Sequence, residues 1–233
     1  GGYFAGAKFL ALSFLLGTVW CLGNALKMLE FARKISEKRN VSLTNENIVL
    51  NLSYTARGQL NPVVTFIGGV AGQEVQKALT GKFHPIHQSF FWECMNALPL
   101  PLPSPEDCAP TQSRYDAQIA VFGSKFQKKL GNLKYFMIGA GALGCEFLKN
   151  FALMGLACGP KGKIIVTDMD TIEVSNLSRQ FLFNEQHVGE MKSICAANAA
   201  KRMNPNLNVE ALMDRVGVET EDTFNEKFWN SLS

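Results

Sequence analysis

An apolar run, a glycine-rich turn and a helical apolar pattern follow one another without a break from Tyr135 to Lys149, in the sequence YFMIGAGALGCEFLK. A buried parallel strand needs a continuous apolar run. Glycines let the next turn tighten against a phosphate, and the N-terminus of the following helix attracts an anion. Because Gly139, Gly141 and Gly144 follow a predicted strand and begin a predicted helix, they predict a nucleotide-binding βαβ unit.

A second apolar strand is predicted at residues 163–167, and it ends at Asp168. In nucleotide-binding βαβ units an acidic residue at this point, about 20 residues beyond the glycines, accepts hydrogen bonds from the ribose. Asp168 follows Gly144 by 24 residues. It is therefore a candidate ribose ligand, although a solvated aspartate at a strand end explains this one residue equally well. Taken alone, these two features suggest a dinucleotide-dependent oxidoreductase.

Amide and cationic side chains follow on the next predicted loops, namely Asn176, Arg179, Gln180 and Lys192. Arg179 can form bidentate hydrogen bonds with phosphate oxygens, and Lys192 can act as a mobile point charge. Hydrogen bonds to charged groups contribute about 1.5–3 kcal/mol each, so both cations would matter greatly to a polyanion. A dehydrogenase does not need this cluster, whereas a nucleoside triphosphate does.

The sequence DMDTIEVSNLSRQFLF at residues 168–183, with GAGALGCE upstream of it, resembles the active adenylation domain of the ubiquitin-activating enzymes. The wider family includes bacterial adenylating enzymes of molybdopterin and thiamine biosynthesis. Residues 60–75 and 81–86 resemble the closing part of the inactive adenylation repeat of the same enzymes. The resemblance covers residues 45–233. It implies an α/β fold of the ThiF/MoeB type, with Rossmann-like βαβ units preceded by a mainly helical N-terminal region.

The resemblance also implies a chemistry, in which the C-terminal carboxylate of ubiquitin attacks the α-phosphorus of ATP. The products are an acyl-adenylate and pyrophosphate, and a thioester then forms on a cysteine outside this chain, before transfer to ubiquitin-conjugating enzymes. ATP and Mg²⁺ are the implied cofactors. The glycine turn would lie against the nucleotide, Asp168 would hold the ribose, and Arg179 and Lys192 would be the catalytic cations. The implied phosphate ligands are Asn176, Arg179, Gln180 and Lys192.

The chain departs from the family pattern at three positions of this region. Ser178 replaces the second asparagine of S-N-L-N-R-Q, and Val174 and Asn184 stand where the family commonly has a lysine and an arginine. The magnesium-binding aspartate of the family would lie beyond Ser233, so no metal ligand is expected in this chain. The arginine that the inactive repeat lends to the site is also missing. We therefore expect that the chain alone does not complete the reaction.

The predicted organisation has four parts. Residues 1–58 form a helical region that resembles a four-helix bundle, residues 59–98 end the inactive repeat, and residues 113–233 begin the active adenylation domain. The proline-rich segment 99–112 reads as an extended linker. Within the first two parts the apolar spacing predicts local elements. They are helices at 25–38, 45–58 and 63–79 and a short strand at 90–92.

The remaining composition sets looser bounds. The net charge of +3 does not by itself imply nucleic acid or membrane as a partner. Six scattered cysteines without Cys-x-x-Cys pairs suit a reducing compartment, and we expect a cytoplasmic and nuclear protein. Cys145, at the start of a predicted helix, is interpreted as structural. The apolar run 9–22 has the length of a signal h-region, but a buried bundle helix or a mis-joined exon explains it better than a membrane anchor.

Two rival functions remain open at this point. An NAD-dependent oxidoreductase could use the same βαβ unit, but no residue here resembles its catalytic groups. A non-catalytic adenylation-domain subunit for a ubiquitin-like modifier would be expected to lose the phosphate-binding residues, and all four are present. The sequence therefore favours activation of ubiquitin.

Overall fold

The computed structural model describes residues 22–43, 45–55, 58–90, 92 and 94–233 of the chain. These residues divide into two compact units, and the boundary along the chain falls between Ser124 and Lys125. The predicted apolar run at 9–22 falls almost entirely on residues outside this description. None of the helices in the described ranges combines the length and hydropathy needed to cross a bilayer.

The first unit is helical. Its helices are α1 (Leu22–Arg39), α2 (Glu46–Thr55), α3 (Asn61–Thr80) and α4 (Asp116–Phe122). The three helices predicted from apolar spacing are confirmed as α1, α2 and α3. Helix α3 continues through Gly68 and Gly69 and ends where Gly81 adopts a left-handed φ of 64° and donates its N–H to the Lys77 carbonyl. No strand is assigned to residues 90 and 92, and residue 91 lies outside the described ranges.

The proline-rich segment 99–112 is not a plain extended linker. Residues 105–108 form a turn, and Cys108 is buried. The turn is bonded to Ser124, which donates its N–H to the Asp107 carbonyl at 2.8 Å and its hydroxyl to the Asp107 carboxylate at 2.7 Å. Residues 113–124 therefore group with the first unit, and the compact units meet 12 residues later than the predicted linker ends. The predicted domain boundaries themselves stay predictions.

The second unit is α/β, as predicted. Its elements are α5 (Ser124–Gly131), β1 (Lys134–Ile138), α6 (Ala142–Met154), β2 (Lys163–Thr167), α7 (Lys192–Met203), β3 (Val209–Leu212) and α8 (Glu226–Trp229). The three strands form one parallel sheet in the order β1-β2-β3, with Phe136 opposite Ile165 and Ile165 opposite Glu210. Parallel strands place their carboxyl ends at one edge, where ligands of such sheets bind.

The core of this unit lies between one face of the sheet and helices α6 and α7. Ile164 and Val166 on β2 are fully buried, and Leu148 of α6 packs in the same cluster. Helix α7 contributes mainly alanines, including Ala196 and Ala200. Small side chains let a helix approach a sheet closely, so the N-terminus of α7 is held near the strand ends.

Aromatic side chains cover the other face at β1. Successive residues of a strand point to opposite faces of the sheet. Met137 points into the core, so Phe136 points to the opposite face. The Phe136 ring lies 5.3 Å from the Phe224 ring, 4.9 Å from Phe228 and 5.6 Å from Trp229, between ring centroids. These separations are typical of favourable aromatic pairs. Both faces of the sheet are therefore packed at β1.

We predict that Leu148→Ala destabilises the second unit by about 2–5 kcal/mol, because it removes a fully buried side chain and leaves a cavity. Urea denaturation of the 233-residue chain, followed by circular dichroism, measures this change. Leu143→Ala is the matched control, since Leu143 is on the same helix and 74% exposed; it should change the free energy of unfolding by less than about 0.5 kcal/mol. Equal losses for the two variants would contradict the described core.

Candidate nucleotide-binding site

The turn after β1 requires glycine at two positions for different reasons. Gly139 has a φ of 95°, which other residues rarely adopt, and donates its N–H to the Thr167 carbonyl at 2.8 Å. A side-chain carbon built on Gly144 would lie 2.3 Å from the Gly139 carbonyl oxygen, so helix α6 can pack against the turn only with glycine there. By contrast, nothing lies within 4 Å of a carbon built on Gly139. The turn is therefore tight on its helix side and open on its other side.

Asp168 joins this turn to the end of β2. Its carboxylate accepts the backbone N–H of Ala140 at 2.6 Å and the N–H of Asp170 at 2.9 Å. Its own carbonyl accepts the hydroxyl of Ser193, near the start of α7, at 3.3 Å. The predicted ribose ligand is thus placed beside the glycine turn. Each carboxylate oxygen can accept a further hydrogen bond, so this arrangement leaves room for the predicted role.

Lys192 is the first residue of α7 and is only 8% exposed. Its ammonium group lies 2.8 Å from the carboxylate of Asp170, and its backbone N–H donates to the Asp170 carbonyl at 3.0 Å. A buried charge is costly unless it is paired, and Asp170 supplies the partner here. Because Asp170 also bonds to Asp168, the predicted lysine is linked through two aspartates to the glycine turn.

Gln180 is 4% exposed, and its side chain lies beside the glycine turn. A carbon built on Gly141 would lie 3.9 Å from the Gln180 side-chain nitrogen. The Gln180 side-chain oxygen is buried and has no hydrogen-bond partner among the described residues. Buried polar atoms are nearly always paired, so an unpaired one needs an explanation. A bound group that donates a hydrogen bond beside the glycine turn would satisfy it.

The other two predicted phosphate ligands are held by their own loop, the 3₁₀ helix Val174–Ser178. Asn176 is buried, and its side-chain oxygen accepts the N–H of Glu173 at 3.0 Å. Arg179 is exposed, and its guanidinium donates to the Ser175 carbonyl at 3.0 Å. Asn176 thus stabilises the start of this short helix. Phosphate contacts of both residues stay predictions.

Cys145 has the structural character that its position predicts. Its side chain is fully buried, and burial raises the pKa of the thiol to about 11. The thiol is therefore protonated at neutral pH, because the thiolate would lack solvent. Its sulfur lies 3.8 Å from the Ala140 carbonyl oxygen, directly beneath the glycine turn. It is a packing residue and not a nucleophile.

Sequence reasoning missed two features of this edge. The first is Asp170 as the partner of Lys192; the repeated aspartate of D-M-D was the available signal. The second is a group of three metal-ligand side chains, His187, Glu190 and Cys195, whose donor atoms all lie within 4.8 Å of one another. The signal for it, H-x-x-E-x-x-x-x-C, is not a common metal-binding spacing.

Taken together, the geometry fits a phosphate-bearing ligand. An open glycine turn, the beginnings of helices α6 and α7 and a buried lysine meet at the carboxyl edge of a parallel sheet. Residues 115–232, about half of the chain, match the model of the ThiF family. The chain belongs to the ThiF family.

Among curated relatives, this ThiF-family chain is 49% identical to ubiquitin-activating enzyme E1 1 of Arabidopsis thaliana over 213 residues, which cover 90% of the chain and 20% of the relative. It is 47% identical to ubiquitin-like modifier-activating enzyme 1 of Oryctolagus cuniculus over 215 residues, again 90% and 20%. The chain therefore spans about a fifth of the length of the relatives it matches. The solved structure of E. coli MccB with ATP is 26% identical, with a TM-score of 0.45, over 53% of this chain and 37% of that one. Such a structural likeness carries no functional argument.

We predict that Gly144→Ala destabilises the ThiF-family unit by about 1–3 kcal/mol, because its methyl group would meet the Gly139 carbonyl, a backbone atom that cannot move aside. Gly141→Ala is the matched control: its φ of −75° is accessible to alanine, and its nearest neighbour would be 3.9 Å away. Thermal or urea unfolding compares the two. A Gly141 variant that is destabilised as much as the Gly144 variant would refute the close approach of helix and turn.

Proposed function

We propose that this chain forms part of an enzyme that activates ubiquitin, and that it supplies the nucleotide-binding edge for adenylation of ubiquitin's C-terminal carboxylate. The observation that carries the proposal is the Asp168 carboxylate, which bonds to the glycine turn at Ala140 and to Asp170, the partner of Lys192. This arrangement groups the turn, the ribose ligand and a buried cation. The relatives named as ubiquitin-activating enzymes, at 47–49% identity, support the choice of substrate.

In the proposed reaction a carboxylate oxygen of ubiquitin forms a bond to the α-phosphorus of ATP. The bond from that phosphorus to the bridging oxygen breaks, and pyrophosphate leaves with the electron pair. The chain's own contribution would be positioning and electrostatics. The backbone of Gly139 and Gly141 would lie against the phosphates, Asp168 would hold the ribose, and Mg²⁺ would accompany ATP with its protein ligand outside this chain.

The two cations would act at different depths. Lys192 is buried and fixed at the start of α7, so it offers a charge of defined position in a region that screens it little. Arg179 is exposed, and its guanidinium donates to the Ser175 carbonyl in its own loop, so it can turn to a bound phosphate at small cost. Both would offset the negative charge that accumulates on phosphate oxygens during transfer.

The same features favour a triphosphate over NAD. A pyrophosphate bound at the glycine turn is satisfied by backbone N–H groups and the start of one helix. The buried Lys192 and the side-chain NH₂ group of Gln180 would add a second set of hydrogen-bond donors beyond the ribose aspartate. We propose that these groups receive the outer part of the phosphate chain.

The wider role is also a proposal, since the chain spans about a fifth of its relatives. It includes thioester formation on a cysteine outside this chain, transfer of ubiquitin to conjugating enzymes, and residence in the cytoplasm and nucleus. We also expect that the chain alone does not complete the reaction.

The test is a chimera in which this chain replaces the matching segment of the Arabidopsis relative. We expect the chimera to catalyse ubiquitin-dependent exchange of pyrophosphate into ATP, and Lys192→Ala to lower the exchange rate by at least about tenfold, as the loss of one charged hydrogen bond implies. Lys201→Ala, an exposed lysine on the same helix, is the matched control and should leave the rate within about twofold.

A folded chimera that binds ATP but shows no exchange with ubiquitin would contradict the proposed substrate. A chimera with normal exchange in the Lys192 variant would contradict the proposed role of the buried cation.

A further inference from the structure

Three side chains of the metal-binding type lie together at the beginning of α7. The imidazole of His187, the carboxylate of Glu190 and the thiol of Cys195 come from a stretch of nine residues, and each places a donor atom within 4.8 Å of the other two. They represent nitrogen, oxygen and sulfur donors. This is the combination that Zn²⁺ and similar borderline-soft cations accept.

The backbone holds the segment that carries these side chains. Glu190 donates its N–H to the His187 carbonyl at 3.0 Å, and its own carbonyl accepts the N–H of Ile172 at 2.9 Å. Gly189 donates to the Ile172 carbonyl at 2.8 Å, and residues 171 and 191 form an isolated β-bridge. Cys195 lies in the first turn of α7, whose packing against the sheet fixes it. The donor groups are therefore carried by a defined scaffold and do not depend on a free loop.

Without a cation, a proton links two of the three groups. The Cys195 sulfur donates to the Glu190 carboxylate at 2.8 Å. A carboxylate beside a thiol is an unfavourable environment for a thiolate, but it becomes favourable once a cation lies between the two.

We propose that His187, Glu190 and Cys195 bind a divalent cation of the Zn²⁺ class, which takes the place of the thiol proton and keeps one position for water. None of the three residues is a predicted nucleotide ligand, and the proposal does not rest on the proposed function. The bound cation would fasten the segment before Lys192 to helix α7.

Small movements are enough to form the site. Zn–S and Zn–O distances of about 2.3 and 2.1 Å at a tetrahedral angle place sulfur and oxygen about 3.6 Å apart. The present separation is 2.8 Å, and Glu190 is exposed and free to move outward. His187 currently accepts the Asn184 N–H on its Nδ1 atom at 3.2 Å. Binding the cation through either ring nitrogen gives up this long hydrogen bond at the surface, where water replaces it.

The test is a titration of the metal-free 233-residue chain with Co²⁺, which reports thiolate ligation through a charge-transfer absorption band. We expect the band to saturate at one Co²⁺ per chain, to disappear when Zn²⁺ is added, and to be accompanied by release of about one proton. Because loss of an outer-shell partner alone weakens metal affinity about 10–100-fold, Glu190→Gln and His187→Asn should each weaken binding by at least about tenfold. Cys195→Ser and Cys195→Ala should abolish the band.

Cys94→Ser is the matched control, because Cys94 is a partly exposed free thiol in the other unit; it should keep the band and the affinity. Circular dichroism establishes that each variant is folded, and two substitutions at Cys195 guard against a folding defect of either one. Absence of the band in the folded chain at one equivalent of Co²⁺, or its persistence in both Cys195 variants, would overturn the proposal.

Discussion

The carboxylate of Asp168 is the interaction on which the rest of the nucleotide-binding edge depends. It lies at the end of β2 and accepts backbone N–H groups from the glycine turn after β1 and from Asp170. Hydrogen bonds of this kind, with a charged acceptor, are about twice as strong as neutral ones. One side chain therefore fixes the relative positions of the glycine turn and the loop that leads to the predicted phosphate ligands.

The electrostatic arrangement follows from that constraint. Once Asp170 is placed by Asp168, its own carboxylate is available to the ammonium group of Lys192. Burial of Lys192 would be unfavourable without this partner. The pair holds a positive charge at the start of a helix, where the backbone already favours anions. In the proposed function, an anionic ligand would compete with the exposed Asp170 for this ammonium group.

Much of this edge could be predicted from sequence, because its signals are local. A continuous apolar run followed by spaced glycines predicts a strand, a turn and a helix, and β1, Gly139–Gly144 and α6 follow in that order. The end of β2 at Asp168 is equally local. The start of α7 was not predicted, because Lys192 was expected on a loop and is instead the first residue of this helix. The contact between Lys192 and Asp170 was not predictable in the same way, because it joins residues that are 22 positions apart. Nor was the role of Asn176, whose side-chain oxygen is used to start a short helix.

The same distinction between local and distant signals applies to the proline-rich segment 99–112. Prolines correctly indicate a segment without regular helices or strands, but they do not tell whether that segment packs. The turn around Asp107 accepts a hydrogen bond from Ser124, which lies 17 positions further along the chain. Residues 113–124 group with the first unit. The cluster of His187, Glu190 and Cys195 was not predicted for a related reason. Its three side chains come together only when a short helix, a loop and α7 are folded.

The most direct test of the nucleotide-binding edge is a titration of the ¹⁵N-labelled chain with ATP, followed by the backbone amide signals. The account predicts that the signals of Ala140, Gly141 and Lys192 shift as ATP is added, whereas those of Phe228 and Trp229 in α8, on the opposite face of the sheet, do not. Shifts confined to α8, or an ATP complex in which the amides of the glycine turn are unaffected, would contradict it.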